Sequence, residues 1–461
     1  MMTHLTACSL QIMTGLRPAG RAPLYRAVLW LTLATTLPVQ LAAAAEPAAA
    51  PPEVAAPVAA ATAAAPEDNP LRFSGSIAWR LGLQQATNRT IYTPEGSTSH
   101  PSLVSRKLNP IFKLDKTGVF SAVLDGEWDQ RPYGESKGRV NQLFASFSLT
   151  DSLRLRVGRQ RTLWGHGFSY IPTDLINPPL DPSGLDLAKV GVPAVSFDWV
   201  RDKYSLTGIV RREQSGIDSA GLKLVTSPVS GVDLNLITYH APSIGNALGA
   251  SFAVDATQVI SDKLPGLVLY GGLESHTRSR YPEAIAVAAS PATGGIAYPA
   301  LGERGASGRF RSFLLGTTWQ INSDLSLTGE YYHIGDAYSK AHFNNLLTLL
   351  SERGSLGAGL TSPWLDSLAT GRNQRQYYYV SLAQNALTSG NSRLTDTLSA
   401  TLGLLGSPDD QSRLWSVALK STYWDRAEVT WRTFVPTGRK VSEFGSLPYN
   451  WYSEIGVKIG F

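Results

Sequence analysis

The sequence predicts an all-β fold, a transmembrane up-and-down antiparallel β-barrel of about 18 strands. Three observations lead there. Runs of alternating apolar and polar residues recur from Leu71 to the last residue, most of them about 9–14 residues long, which suits a tilted strand crossing hydrocarbon better than a soluble sheet. Beyond Leu71 no run reaches the roughly 18 apolar residues that a spanning helix needs. The gaps between the runs alternate between long and short.

The chain opens with a secretory signal over residues 1–45. Arg17, Arg21 and Arg26 form its positive region, residues 27–39 its apolar region, and the alanines at 42–45 a small-residue cleavage site, with Met13 as an alternative start. Cys8 follows a sequence like a lipoprotein box, but no apolar region precedes it, so lipidation is not expected. Cys8, Met1, Met2 and Met13 are the only cysteine and methionines, so cleavage leaves neither residue type and excludes disulfides, thiolate metal sites and a cysteine nucleophile. Losing the three arginines leaves 38 basic residues against 36 acidic, a balance that does not suggest nucleic acid. Residues 46–70 are almost entirely Ala, Pro and Glu and read as a periplasmic tether, too poor in apolar surface to offset their ordering entropy.

The barrel is expected over 71–461. By pattern its strands fall at about 71–85, 104–114, 118–130, 138–149, 152–160 and 192–200. They continue at about 203–213, 219–226, 230–241, 246–260, 264–276 and 309–320. The last six fall at about 323–335, 373–386, 392–403, 412–424, 425–434 and 450–461. Odd gaps are mostly long, as in 86–103, 161–191, 277–308 and 336–372, and even gaps are mostly tight turns. That is the asymmetry of a barrel with short periplasmic turns and longer outer loops, and an even strand number returns both termini to one rim. A soluble β-sandwich also alternates, but its strands are shorter and its loops keep no such rhythm.

The pleat assigns the two faces. In the last strand Ile455, Val457, Ile459 and Phe461 share one side and Glu454 and Lys458 the other; Ile77 and Trp79 oppose Arg72 and Arg80 in the first. A charge facing lipid at mid-height costs about 2–4 kcal/mol, so the charged positions are expected to face a polar lumen. Trp79, Trp199, Trp319, Trp424, Trp431, Trp451 and Tyr452 fit aromatic girdles at the two interfaces.

The third long gap, 161–191, follows a strand that alternates cleanly at 153–160. Four prolines and several glycines exclude a strand here, and Trp164, Phe168 and Tyr170 argue against disorder, so this loop is expected to fold into the barrel mouth and narrow it. Candidate lumen and constriction residues are Arg72, Arg80, Arg154 and Arg156 on early strands, with Asp125, Glu127 and Asp129 across from them. On the loop the candidates are Arg161, Trp164, His166, Asp174, Asp181 and Asp186. Opposed acidic and basic side chains at a narrow place would set a transverse field that filters solutes by charge; they could equally satisfy one another. In the loop at 336–372, residues 342–350 and 362–368 have helical spacing and could cap the pore or lie on the membrane surface, though packing on neighbouring loops is favoured because helices this short are marginal alone.

Catalytic signals are weak. The six histidines beyond the signal, His100, His166, His240, His276, His333 and His342, lack the close spacing of a metal site, and no Gly-x-Ser-x-Gly elbow occurs. No enzyme activity, metal or cofactor is expected.

A signal peptide, long alternating strands and a terminal strand at 452–461 ending in Phe461 together resemble the Gram-negative outer-membrane porins. The cluster Gly158-Arg-Gln160, Trp164-Gly165 and 172–178 (Pro-Thr-Asp-Leu-Ile-Asn-Pro) also resembles a set of uncharacterised porin-like barrel proteins. The resemblance implies an outer-membrane location in contact with lipid bilayer and lipopolysaccharide, Phe461 as the signal read by the barrel-assembly machinery, and a third outer loop folded inward. Passive diffusion of small hydrophilic solutes is the expected function. The rival is a non-transporting surface barrel that binds capsule polysaccharide or scaffolds an envelope complex. Homotrimers are common in the class, but no sequence feature here marks a subunit interface, and the solute and its charge are not legible.

Overall fold

The computed structural model describes residues 71–86, 101–130, 136–177, 190–212, 218–281, 283–287, 298–302, 308–344, 346, 372–386, 397–424 and 426–461. The expected signal and tether, 1–45 and 46–70, lie outside the described residues.

The strands run in chain order as β1 (Arg72–Ala86), β2 (Pro101–Lys116), β3 (Phe120–Gln130), β4 (Lys137–Ser148), β5 (Leu153–Gln160) and β6 (Val192–Arg201). Next come β7 (Tyr204–Arg212), β8 (Asp218–Val229), β9 (Val232–Ala241), β10 (Gly245–Asp255) and β11 (Leu267–His276). A separate pair, β12 (Glu283–Val287) and β13 (Tyr298–Gly302), precedes β14 (Phe310–Gln320), β15 (Leu325–His333) and β16 (Gln376–Gln384). The chain ends with β17 (Leu398–Gly406), β18 (Arg413–Trp424), β19 (Ala427–Thr437) and β20 (Tyr449–Gly460).

Eighteen of these form one antiparallel sheet in which each strand pairs with its neighbours in sequence, β11 pairs with β14 across the β12–β13 hairpin, and β20 pairs back onto β1. The sheet is therefore a closed barrel. Every expected strand has its counterpart. Closure leaves no edge, which is the condition for placing backbone polar groups in hydrocarbon.

The turns of one rim explain why the chain reverses there. Asp202 has φ +47° and Gly231 φ +79° in tight turns, conformations that match the twist of a hairpin. Asn322 Oδ1 accepts from Asp324 N at 2.9 Å and Leu325 N at 2.8 Å, an Asx turn that starts β15.

Several details differ from expectation. The strand expected over 246–260 stops at Asp255, whose carboxylate accepts from Thr257 N at 2.9 Å and caps a helical turn at Ala256–Val259; a short acidic side chain competes here for the backbone. Correspondingly β11 begins at Leu267 rather than 264. β17 runs on to Gly406, because Leu404, Leu405 and Gly406 keep pairing with β16 and β18. The β12–β13 hairpin lies in a gap whose sequence suggests irregular structure.

Burial is inverted relative to a soluble protein. Leu143, Leu236, Leu248, Leu273 and Leu315 are each more than half exposed, whereas Asn141, Glu274 and Ser312, on the opposite face, are at most 1% exposed. An outer surface of this kind is stable only against apolar surroundings. Among the described residues no helix is long and apolar enough to cross a membrane; the strands carry the apolar surface. Trp199, Trp319 and Trp424 lie exposed at the short-turn ends of their strands, while Trp79 and Trp431 sit at mid-strand. Tyr452 is not a girdle residue: it faces inward, is 8% exposed and packs against Tyr449, because its place in the alternation matches Glu454 rather than Ile455.

Candidate functional site

The lumen is polar on the wall and partly filled by chain that folds back against it. Loop 161–177 leaves β5 and lies along the inner face of the far strands. Trp164 is fully buried against Gly221 of β8, with its ring edge-on to Tyr239 of β9 at 6.4 Å. A Cβ at Gly221 would lie 2.7 Å from that indole, so the missing side chain is the socket. Further along, Thr173 sits over Gly249 of β10 and Pro172 near Gly272 of β11. Tyr170 then stacks on Tyr332 of β15 at 5.0 Å, and Tyr332 on Tyr377 of β16 at 5.2 Å. Packing of this kind gives the loop a core of its own.

Polar contacts fix it in place. Glu330 of β15 accepts from Phe168 N at 2.6 Å, Ser169 N at 2.8 Å and Tyr270 OH at 3.0 Å, so one buried carboxylate ties the loop to two strands. The Lys223 ammonium donates to Leu163 O at 3.2 Å and the Arg211 guanidinium to Ile176 O. Within the loop Thr173 Oγ1 donates to Trp164 O at 2.6 Å. Gly165 and Gly167 have φ +125° and +147°; a Cβ at Gly167 would collide with Tyr170 O, so only glycine permits this turn.

A second anchorage joins the neighbouring loops. His276, at the end of β11, is fully buried with Nδ1 2.8 Å from Glu274 Oε2 and Nε2 3.2 Å from Asp336 Oδ2. Arg280 donates to Asp336 through its backbone N, Nε and Nη2, each at 2.9 Å. Burial alone would raise the Asp336 carboxyl, but Arg280 and His276 beside it hold it far below the usual carboxylate range. A third anchorage is Glu443, buried in the loop before β20, which accepts from Asn373 N at 2.7 Å, Gln374 N at 3.2 Å and the Tyr377 hydroxyl. Burial pushes its carboxyl up to about 7 against the pull of these donors, with nearby Asp410 adding to the rise.

The residues singled out from sequence divide among these settings. Arg80 pairs with Glu127 at 3.1 Å and Glu454 at 3.8 Å, and Glu127 also with Arg139 at 2.9 Å. Asp125 is buried and accepts from Asn109 at 2.8 Å and Asn141 at 3.1 Å; its charge bears on Arg161. Asp129 stands across from Lys107 and Lys137, and Arg156 pairs with Asp198 at 3.0 Å. Arg72 and Arg154 lie at the short-turn ends of β1 and β5, the ends remote from the point where the loop leaves the sheet. Trp164 faces the wall. His166 Nδ1 lies 3.3 Å from Asn235 Nδ2, and burial lowers its imidazole pKa, an effect that Asp233 opposes and Lys223 adds to. Asp174 accepts from Asn177 Nδ2 at 2.7 Å. Asp181 and Asp186 lie outside the described residues. In the 336–372 loop, residues 340–344 are helical, and 362–368 lies outside the described residues.

The anchors Glu330, Glu443 and the Glu274–His276–Asp336–Arg280 cluster were not singled out from sequence. Their one advance sign is a charged side chain at an inward position of a strand, as with Glu274, His276 and Glu330; nothing local separates these from lumen charges. No group of three or more His, Cys, Asp or Glu side chains could hold a metal ion among the described residues.

No family model matches the chain, and no curated protein sequence is similar to it. Among solved structures, the chain is similar to OccAB1 of Acinetobacter baumannii at 10% identity and a TM-score of 0.49, over 84% of this chain and 96% of that one. OccK11 (OpdR) of Pseudomonas aeruginosa is similar at 11% identity and 0.48, again over 84% and 96%. A mutant of the Rh. blastica porin is similar at 12% identity and 0.41, over 85% of this chain and all of that one. The closed strand register of the chain itself makes it a barrel.

Proposed function

We propose that this chain is an outer-membrane channel for passive diffusion of small hydrophilic solutes, with loop 161–191 as the element that narrows the pore. One observation carries the reading: a closed barrel of 18 strands, apolar outside and polar inside, has a loop packed along its inner wall rather than out in solvent. A barrel of this strand number encloses a lumen too wide for wall side chains alone to fill. Among the described residues the loop docks on β8–β11, β14 and β15, and the Arg80, Glu127, Arg139 and Glu454 network lies on the other arc, from β18 through β1 to β5.

Planar-bilayer recording of the purified full-length chain tests this. Steady ohmic steps are expected, growing in size when residues 164–182 are deleted. A barrel that folds and inserts but passes no current, and instead retains polysaccharide, would establish the rival surface-binding role. Lipopolysaccharide contact and dependence on the barrel-assembly machinery belong to the same proposal, and a homotrimer is what the porin resemblance adds to it.

A further inference from the structure

The wall of the lumen is electrically lopsided. Strands β9 to β17 contain a single lysine or arginine, Arg311, and it lies on the outward face with Phe313 and Leu315. The inward cations of the strands therefore all come from the other arc: Lys420 on β18, Arg432 on β19, Arg80 on β1, Arg139 on β4 and Arg156 on β5 among them.

Depth sharpens this. In five ion pairs described on that arc the cation is the more solvent-facing partner. The Arg80 side chain is 14% exposed against 4% for Glu127 and 3% for Glu454, and Arg139 is 42% exposed over the same Glu127. Lys420 is 36% exposed against 22% for Glu428, and Arg156 26% against 22% for Asp198. Arg432 stands opposite Glu454 in the strand register, which places Arg80, Arg139 and Arg432 about the two carboxylates Glu127 and Glu454. The carboxylates hold the guanidinium groups from behind, and the surface a solute meets is positive. Pairing fixes these cations without cancelling their field, because a nearer charge outweighs a deeper one in a lumen with low-dielectric walls.

We propose that the pore selects small anions over cations, with Arg80, Arg139, Arg156 and Arg432 as the specificity-determining residues; this rests on the channel reading above. In planar bilayers holding the full-length chain under a potassium chloride gradient near 0.1 M, the reversal potential takes the sign of chloride preference. Arg139→Gln and Arg156→Gln, both at partly exposed positions where folding is least at risk, together lower the chloride-to-potassium permeability ratio by roughly twofold or more. The preference shrinks at 1 M salt, where the screening length falls to about 3 Å. A conducting barrel that prefers potassium overturns this inference and leaves the channel standing. Anion preference unchanged in the double variant overturns the assignment to these arginines, and a barrel without conductance overturns both readings.

Discussion

At the scale of single residues, the molecule uses buried carboxylates as pins. Glu330 accepts two backbone N–H groups of the loop and one tyrosine hydroxyl, which charge assistance makes stronger than neutral bonds. Glu330→Ala strands those donors at a cost of about 1–3 kcal/mol apiece. The loop should then detach without the barrel unfolding, seen as new proteolytic cuts within 161–177 and larger, noisier conductance steps, with Glu330→Gln giving a smaller effect. Glu443 adds a pH dependence with a definite sign. Its folded pKa of about 7 lies above the ordinary 4.5, so the docked state binds the proton more tightly than the released one. Docking is therefore strongest below about pH 4.5, weakens as pH rises from there to about 7, and is weakest above. Protease access to the segment before β20 should be greater at pH 8 than at pH 5, and Glu443→Gln should flatten that difference.

At the scale of elements, the strands are legible in the sequence and the docking of the loop is not. Each strand writes its own pattern, because an apolar outer face and a polar inner face force a two-residue alternation that any single segment displays. Docking links positions far apart, as when Phe168 and Ser169 meet Glu330, and any acidic residue can accept from any backbone N–H. One sign of it does stand in the sequence: Gly221, Gly249 and Gly272 occupy inward positions of β8, β10 and β11, and a glycine inside a strand often marks the close approach of other chain. Trp164, Thr173 and Pro172 are what approach. From sequence Trp164 is a candidate pore-facing side chain, but an indole at 0% exposure makes it the loop's anchor to the wall. Trp164→Ala should accordingly cost about 3–5 kcal/mol of loop docking through the cavity it leaves. The measurable outcome is faster hydrogen exchange confined to 161–177, with Trp164→Phe intermediate; exchange rising equally in β1 to β5 would mean the indole supports the whole barrel instead.

At the scale of the whole molecule, everything depends on one seam. β20 meets β1 where the last and first strands join, and Phe461 takes part in that junction: Phe461 N donates to Gly75 O at 3.0 Å and Gly75 N to Phe461 O at 2.9 Å. The Phe461 ring lies 6.0 Å from Phe73 and 6.1 Å from Phe112, and a Cβ at Gly75 would strike it, so the phenyl group occupies the space that glycine leaves. The resemblance to porins would give Phe461 a role in assembly, and the seam predicts one in stability; the two separate by experiment. Phe461→Ala keeps the backbone bonds and removes the ring contacts, which for aromatic pairs are worth about 0.5–1.5 kcal/mol each beyond their area. Refolded from denaturant into detergent without any cellular factor, this variant should lose its compact gel mobility at a lower temperature than the wild type, and Phe461→Tyr should restore it. A variant that matches the wild type in detergent yet fails to reach the membrane in cells would place the role of the ring in recognition alone. If it fails in both settings, closing the barrel and being recognised for assembly draw on the same side chain.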